Sequence, residues 1–139
     1  AALLHDIGKL GVSNSILDKN GKLDGDEWEA MKGHAAHSEA ILEKIAVFAD
    51  LARVAGAHHE RLDGKGYPRC ISGDEICLDT RIISTADVFD ALTADRPYRK
   101  AMSAGEALGV MRADLDTGID ARCLAALERS LDRLQLAAA

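Results

Sequence analysis

Proline is scarce in this sequence, two residues in 139, and no apolar run approaches the ~20 residues that a membrane-spanning helix needs. A spanning segment is therefore not expected, nor is a charged-then-apolar leader of the secretory kind. Cysteine is also short: Cys70, Cys77 and Cys123 are an odd set with no CxxC pair. That count makes neither a disulfide framework nor a zinc ribbon, and it fits a reducing cytoplasm. Positive charge is in deficit, 17 Lys and Arg against 23 Asp and Glu, for a net charge of -6. Proteins that bind DNA without regard to sequence neutralise many phosphates with basic side chains, so that class is disfavoured. A phosphorylated ligand would have to be held locally, by cations, rather than by a broad basic face.

What remains is a chain 47% hydrophobic and 29% charged, rich in Ala, Leu, Glu, Asp and Arg. The expectation is one compact all-α domain of about six helices. Residues 1–8 read as the last two turns of a helix stopped by Gly8, and Lys9 to Leu23 as a loop with one short turn. Asp24 with Glu27 predicts a capping box opening a helix through about Gly33. Apolar residues from Ser38 to about His59 predict two helices meeting near Val47 to Asp50, with His34 and His37 flanking a helix junction. Arg61 to Asp79, with Gly64, Gly66, Pro68 and Gly73, is the longest irregular segment. Thr80 to Ala94 reads as a helix with Ile82, Ile83, Ala86 and Phe89 on one stripe. Pro97 breaks the chain, Ser103 and Glu106 cap a helix to about Leu115, and Asp120 caps a last helix whose stripe is Leu124, Leu127, Leu131 and Leu134.

The histidines and two aspartates beside apolar residues carry the chemistry. His5 precedes Asp6, His34 stands alone, His58 and His59 are adjacent, and Asp87 lies on the helix after the glycine loop. Each element alone has a structural explanation, since a lone His-Asp pair usually closes a helix end. Imidazole and carboxylate together are the ligand set of first-row transition metals. Adjacent helical side chains diverge by about 100°, so consecutive ligands suit a cluster of ions better than one. A carboxylate can bridge two ions, which then act together on a phosphodiester.

In order and spacing, His5-Asp6-Ile7-Gly8-Lys9, His34, His58-His59-Glu60, Asp63-Gly64-Lys65-Gly66-Tyr67-Pro68 and Ala86-Asp87-Val88-Phe89-Asp90-Ala91-Leu92 resemble the HD-GYP family. Gly66-Tyr67-Pro68 is the signature tripeptide, and Asp95 to Lys100 is also similar, so the resemblance covers nearly the whole chain. It implies an HD-type helical bundle holding two or three divalent transition-metal ions, such as iron or manganese. It also implies hydrolysis of cyclic di-GMP to linear pGpG or GMP in cytoplasmic bacterial signalling.

Carried onto this chain, the metal ligands would be His5, Asp6, His34, His58, His59 and Asp87, with Asp6 bridging. Lys9 would contact a phosphate, Gly64, Gly66, Tyr67 and Pro68 would form the substrate loop, and Arg96 could steer an anion. GGDEF-domain proteins and an upstream receiver or sensory domain are the implied partners. The family carries a further histidine, in some members with a glutamate, on a helix before the His-Asp pair. Residues 1–139 are therefore read as an HD-GYP domain lacking that helix. His37 stands where the family has an aliphatic residue and is read as a non-ligand. A binding-only module, or a phosphohydrolase of another nucleotide, are the alternatives.

Overall fold

The computed structural model describes residues 1–96 and 99–138. Six α-helices occur among them: α1 (Asn14–Leu17), α2 (Gly25–Glu43), α3 (Ala49–Gly56), α4 (Leu78–Thr93), α5 (Ala104–Arg112) and α6 (Ala121–Ala138). The described residues form no strand beyond two isolated bridges, Arg96 with Arg99 and Leu115 with Ile119. The all-α expectation holds. No described helix is long and apolar enough to cross a membrane.

The capping boxes form as their sequences require. Glu27 N donates to Asp24 Oδ1 at 3.0 Å while Asp24 N donates to Glu27 Oε2 at 2.8 Å. Ser103 and Glu106 make the reciprocal pair at the start of α5. At α6, Asp120 Oδ1 accepts from the amides of Arg122 and Cys123. Orphan first-turn donors are satisfied in each case.

The largest departure from the sequence reading is α2, which runs through Gly33 to Glu43 with no second start at Ser38. A helix-interior glycine costs only about 1 kcal/mol against alanine, and burial of His34, Ala35, Ser38 and Leu42 along one face outweighs that. His34 and His37 are thus mid-helix, and no junction separates them. At the N-terminus, two 3-10 turns, Ala2–Leu4 and Ile7–Gly11, replace the expected α-helical turns. Gly8 lies inside the second turn instead of ending a helix. The link between α2 and α3 is a 3-10 turn, Ala46–Phe48, slightly earlier than predicted.

Smaller corrections follow the same logic of packing. On α4, Val88, Phe89 and Leu92 face the core, whereas Ile82 is half exposed and Ala86 lies outside. α5 stops at Arg112, and Leu134 on α6 is exposed rather than part of a core stripe. Pro97, the expected break, is outside the described residues. All three cysteines are free, and Cys123 is buried.

Two apolar clusters divide the interior. One joins Leu42, Ala52 and Ala55 to Leu4, Ile7 and Phe48, between α2, α3 and the N-terminal turns. The other joins Met111, Ile119 and Leu124 to residues of α4, α5 and α6. The irregular segment after α3 is tied to the second half by arginines. Arg61 reaches both oxygens of Asp114 at 2.8 and 2.9 Å, and Arg81 donates to Ile76 O, Gly73 O and Asp120 Oδ2.

Candidate metal centre

Close backbone contact brings the His-Asp pair onto α2. Gly8 N donates to Ser38 Oγ at 2.9 Å, and Ser38 Oγ donates to the His5 carbonyl at 2.6 Å. A Cβ on Gly8 would overlap the His34 carbonyl oxygen and stand 2.5 Å from Ser38 N, so only glycine permits this docking. His34 then enters from the middle of α2, His58 and His59 from the turn after α3, and Asp87 from the middle of α4.

One device recurs three times. Nδ1 of His5, His34 and His58 lies 2.6, 2.6 and 2.5 Å from the carbonyl oxygen three residues earlier, on Ala2, Met31 and Ala55. A carbonyl can only accept, so Nδ1 carries the hydrogen and Nε2 is left for the interior. This is the arrangement that orients metal-ligating histidines. His34 Nε2 and His58 Nε2 face each other at 3.4 Å, two acceptors with no hydrogen between them. His5 Nε2 is buried without a hydrogen bond, 3.4 Å from Asp6 Oδ2 and 3.5 Å from Asp87 Oδ1. Facing lone pairs and an orphaned ring nitrogen call for cationic charge at this place.

Asp6 lies between the groups. Its Oδ1 is 3.3 Å from His34 Nε2 and 3.9 Å from His58 Nε2, while its Oδ2 is 3.4 Å from His5 Nε2 and 2.5 Å from Lys9 Nζ. Two sets of donor atoms converge to within 4.8 Å: His34, His58 and His59, and His5, His58 and Asp87. His58 has one free nitrogen and can serve only one ion, which leaves the two oxygens of Asp6 as the group that reaches both sets. The donors therefore fit a metal cluster, and imidazole with carboxylate suits a first-row transition ion.

Electrostatics agree with this geometry. Burial pushes His58 down to about 4 and His59 to about 3, so both are neutral donors at pH 7. The Asp6 carboxylate and then that of Asp87, both beside its ring, lift His5 to about 10, against its burial. Burial would raise Asp6 and Asp87, but their neighbours outweigh it: His34, His5 and Lys9 beside its oxygens hold Asp6 far below the carboxylate range, and His5 beside it lowers Asp87.

The glycine loop closes one side. The Tyr67 ring lies 4.7 Å from the His59 ring at 33°, and Pro68 is partly buried beside it. Gly66 is required because a Cβ there would stand 2.5 Å from Glu60 Cα and from the His59 carbonyl oxygen. Gly64 adopts φ +74°, the left-handed region, where the chain turns into the loop. Arg96 stands apart, exposed beyond the end of α4, and no hydrogen bond or ion pair among the described residues joins its side chain to the cluster. His37 is exposed on α2 with its ring beside Gly11, away from both donor sets.

Three residues that sequence reasoning assigned no role emerge here. Glu60 is 2% exposed and accepts from Arg69 N at 2.7 Å and Ile71 N at 3.1 Å, latching the loop to the histidine turn. Its place directly after His59 was the available signal. Ser38 pins the His-Asp turn, one helical turn after His34, and Trp28 packs edge-on against Tyr67.

An all-helical domain whose histidines and aspartates converge, with Nδ1 of His5, His34 and His58 turned outward to carbonyls, has the donor arrangement of a metal-binding domain. The HD domain family matches residues 1–123, and the chain belongs to that family, with the HD-GYP signature within it. It is 63% identical over 134 residues to 3'3'-cGAMP-specific phosphodiesterase 3 of Vibrio cholerae, covering 96% of this chain and 29% of that protein. It is 41% identical over 137 residues to the cyclic di-GMP phosphodiesterase response regulator RpfG of Xanthomonas campestris, covering 97% of this chain and 36% of that one. A crystal structure of a cyclic GMP-AMP specific phosphodiesterase from V. cholerae is 57% identical, with a TM-score of 0.48, over 94% of this chain and 28% of that one. The chain thus spans about a third of the length of the relatives it matches.

Proposed function

We propose that this domain is the hydrolytic unit of a metal-dependent cyclic-dinucleotide phosphodiesterase. The observation that carries the reading is the Asp6 carboxylate, with one oxygen toward each of two converging donor sets. His5, Asp6, His34, His58, His59 and Asp87 would hold two or three divalent ions such as iron or manganese. When bound, such ions supply Lewis acidity and lower the pKa of water for attack on phosphorus. The chain's own residues do the rest. His58 and His59 remain neutral and available, and the outward Nδ1 bonds fix the ring orientations. Lys9, paired with Asp6 and partly exposed, offsets charge that develops on a phosphate oxygen. Gly64, Gly66, Tyr67 and Pro68 form the wall against which the substrate lies, and Arg96 acts at most in long-range attraction.

The relative named for 3'3'-cGAMP shares 63% of aligned positions against 41% for the one named for cyclic di-GMP. The first substrate to assay is therefore 3'3'-cGAMP and the second is cyclic di-GMP, which would yield pGpG or GMP. GGDEF-domain proteins and a receiver or sensory domain are the partners this reading suggests, in the cytoplasm, with the exposed side of the loop as the contact.

Elemental analysis of the purified protein, joined to chromatographic detection of the linear dinucleotide, tests the proposal. Transition metal with ring-opened product from either substrate is expected. Metal-loaded protein that binds both substrates and opens neither would establish the binding-only module instead.

A further inference from the structure

We propose that Trp28 and Lys32 of α2, together with Tyr67, form a subsite that receives one purine base of the bound dinucleotide. The inference rests on the cyclic-dinucleotide reading above. Trp28 is the chain's single tryptophan and is 46% exposed although it lies on the helix that supplies His34. Its ring meets the Tyr67 ring edge-on, with centroids 6.3 Å apart and planes at 79°. Tyr67 in turn lies 4.7 Å from His59, a member of the donor cluster. Two ring-to-ring steps therefore lead from the cluster out to an aromatic face open to solvent.

A cation borders the same rings. Lys32 is one helical turn after Trp28, and its Nζ lies 6.0 Å from the Tyr67 centroid, held there in an ion pair with Glu29 at 2.7 Å. Large aromatic side chains half in water are what base-stacking platforms use, because every nucleobase presents a π-face. The ammonium adds attraction for base carbonyls and for phosphate. A phosphodiester at the cluster would leave one of its two flanking nucleosides directed along this row. Trp28 contributes little to either apolar core, being absent from both clusters.

Replacement of Trp28 by alanine tests the subsite. Expected is a rise in KM for 3'3'-cGAMP or cyclic di-GMP of roughly tenfold to a hundredfold, the worth of one base-aromatic stack. Metal content should be unchanged, and W28F should recover most of the loss. In the wild-type protein GMP and AMP should inhibit better than ribose 5-phosphate, and that preference should vanish in W28A. A merely structural role for Trp28 would not move the preference. An unchanged KM in W28A overturns the inference, as does a loss of metal content in both W28A and W28F with the base preference intact.

Failure of the hydrolase reading is separable. If the wild-type protein opens neither substrate, quenching of Trp28 fluorescence by 3'3'-cGAMP but not by ribose 5-phosphate still supports the subsite, and equal or absent quenching overturns it.

Discussion

The two halves of the domain are held together by different means. Around α4, α5 and α6 the interior is ordinary: Met111, Ile119 and Leu124 pack with Val88, Phe89, Leu92 and Leu127. Around α2, α3 and the N-terminal turns the apolar cluster is centred on one large buried side chain, Leu42, and most of the other buried side chains are small or polar, with Ala35, Ala52 and Ala55 beside His34, Ser38, His58 and Glu60. There the backbone itself makes the contacts, through Gly8 and Gly66, whose missing Cβ atoms let neighbouring chain segments touch. The first kind of interior resists deletion of methylenes poorly but tolerates polar change at its rim. The second has its polar groups committed, each to a carbonyl, an amide or the cluster, because an unpaired buried polar group is costly.

Asp6→Ala should break the second half most completely. Loss of the group that reaches both donor sets should remove metal, measured by elemental analysis, and lower turnover by at least about a thousandfold. Full activity in that variant would remove the cluster mechanism.

Leu124→Ala should strike the other half alone. A loss of about 2 to 5 kcal/mol in urea unfolding is expected for a fully buried leucine, with metal content per folded molecule unchanged. If metal falls in parallel with stability, the halves are not independent.

Glu60→Gln sharpens the boundary between them. The two carboxylate oxygens accept from two different amides, and an amide side chain offers one oxygen and an N–H₂ that opposes the second donor. The expected cost is about 1 to 3 kcal/mol, read as a higher KM through a loosened Tyr67 rather than as lost metal. An unaltered KM would show that the latch does not position the loop.

The smallest effect concerns protons. With His5 held to about 10, the metal-free cluster carries a proton at pH 7 that an ion must displace. His58 and His59, at about 4 and about 3, compete only in acid. Affinity should therefore rise about tenfold per pH unit above neutrality, towards pH 10, with about one proton released per loaded cluster. Calorimetry in two buffers of different ionisation enthalpy measures this, and release near zero at pH 7 would show that His5 is not displaced.

Much of the site was legible in the residues. The order His5-Asp6, His34, His58-His59, Asp87 pointed to six candidate donors, and the structure brings these side chains together. The capping residues Asp24, Ser103 and Asp120 marked helix starts correctly, because a cap is a local hydrogen bond that needs only neighbours. The ends were less legible: Gly33 carried a stop signal that burial of the α2 face overrode, and Leu134 continued a stripe past the partners it would need. Glu60, Ser38 and Trp28 were missed because their roles are set by what lies across from them, 9 to 39 positions away in sequence.

The amino-acid order alone thus determined the all-helical class and the set of candidate donors, since periodicity, caps and ligand chemistry are properties of short segments. Only the tertiary structure decided how the donors divide around Asp6, which nitrogen of each imidazole faces inward, and which side chains hold the loop. Those depend on the separation of atoms distant along the chain, and that separation exists only after α2, α3, α4 and the N-terminal turns have packed.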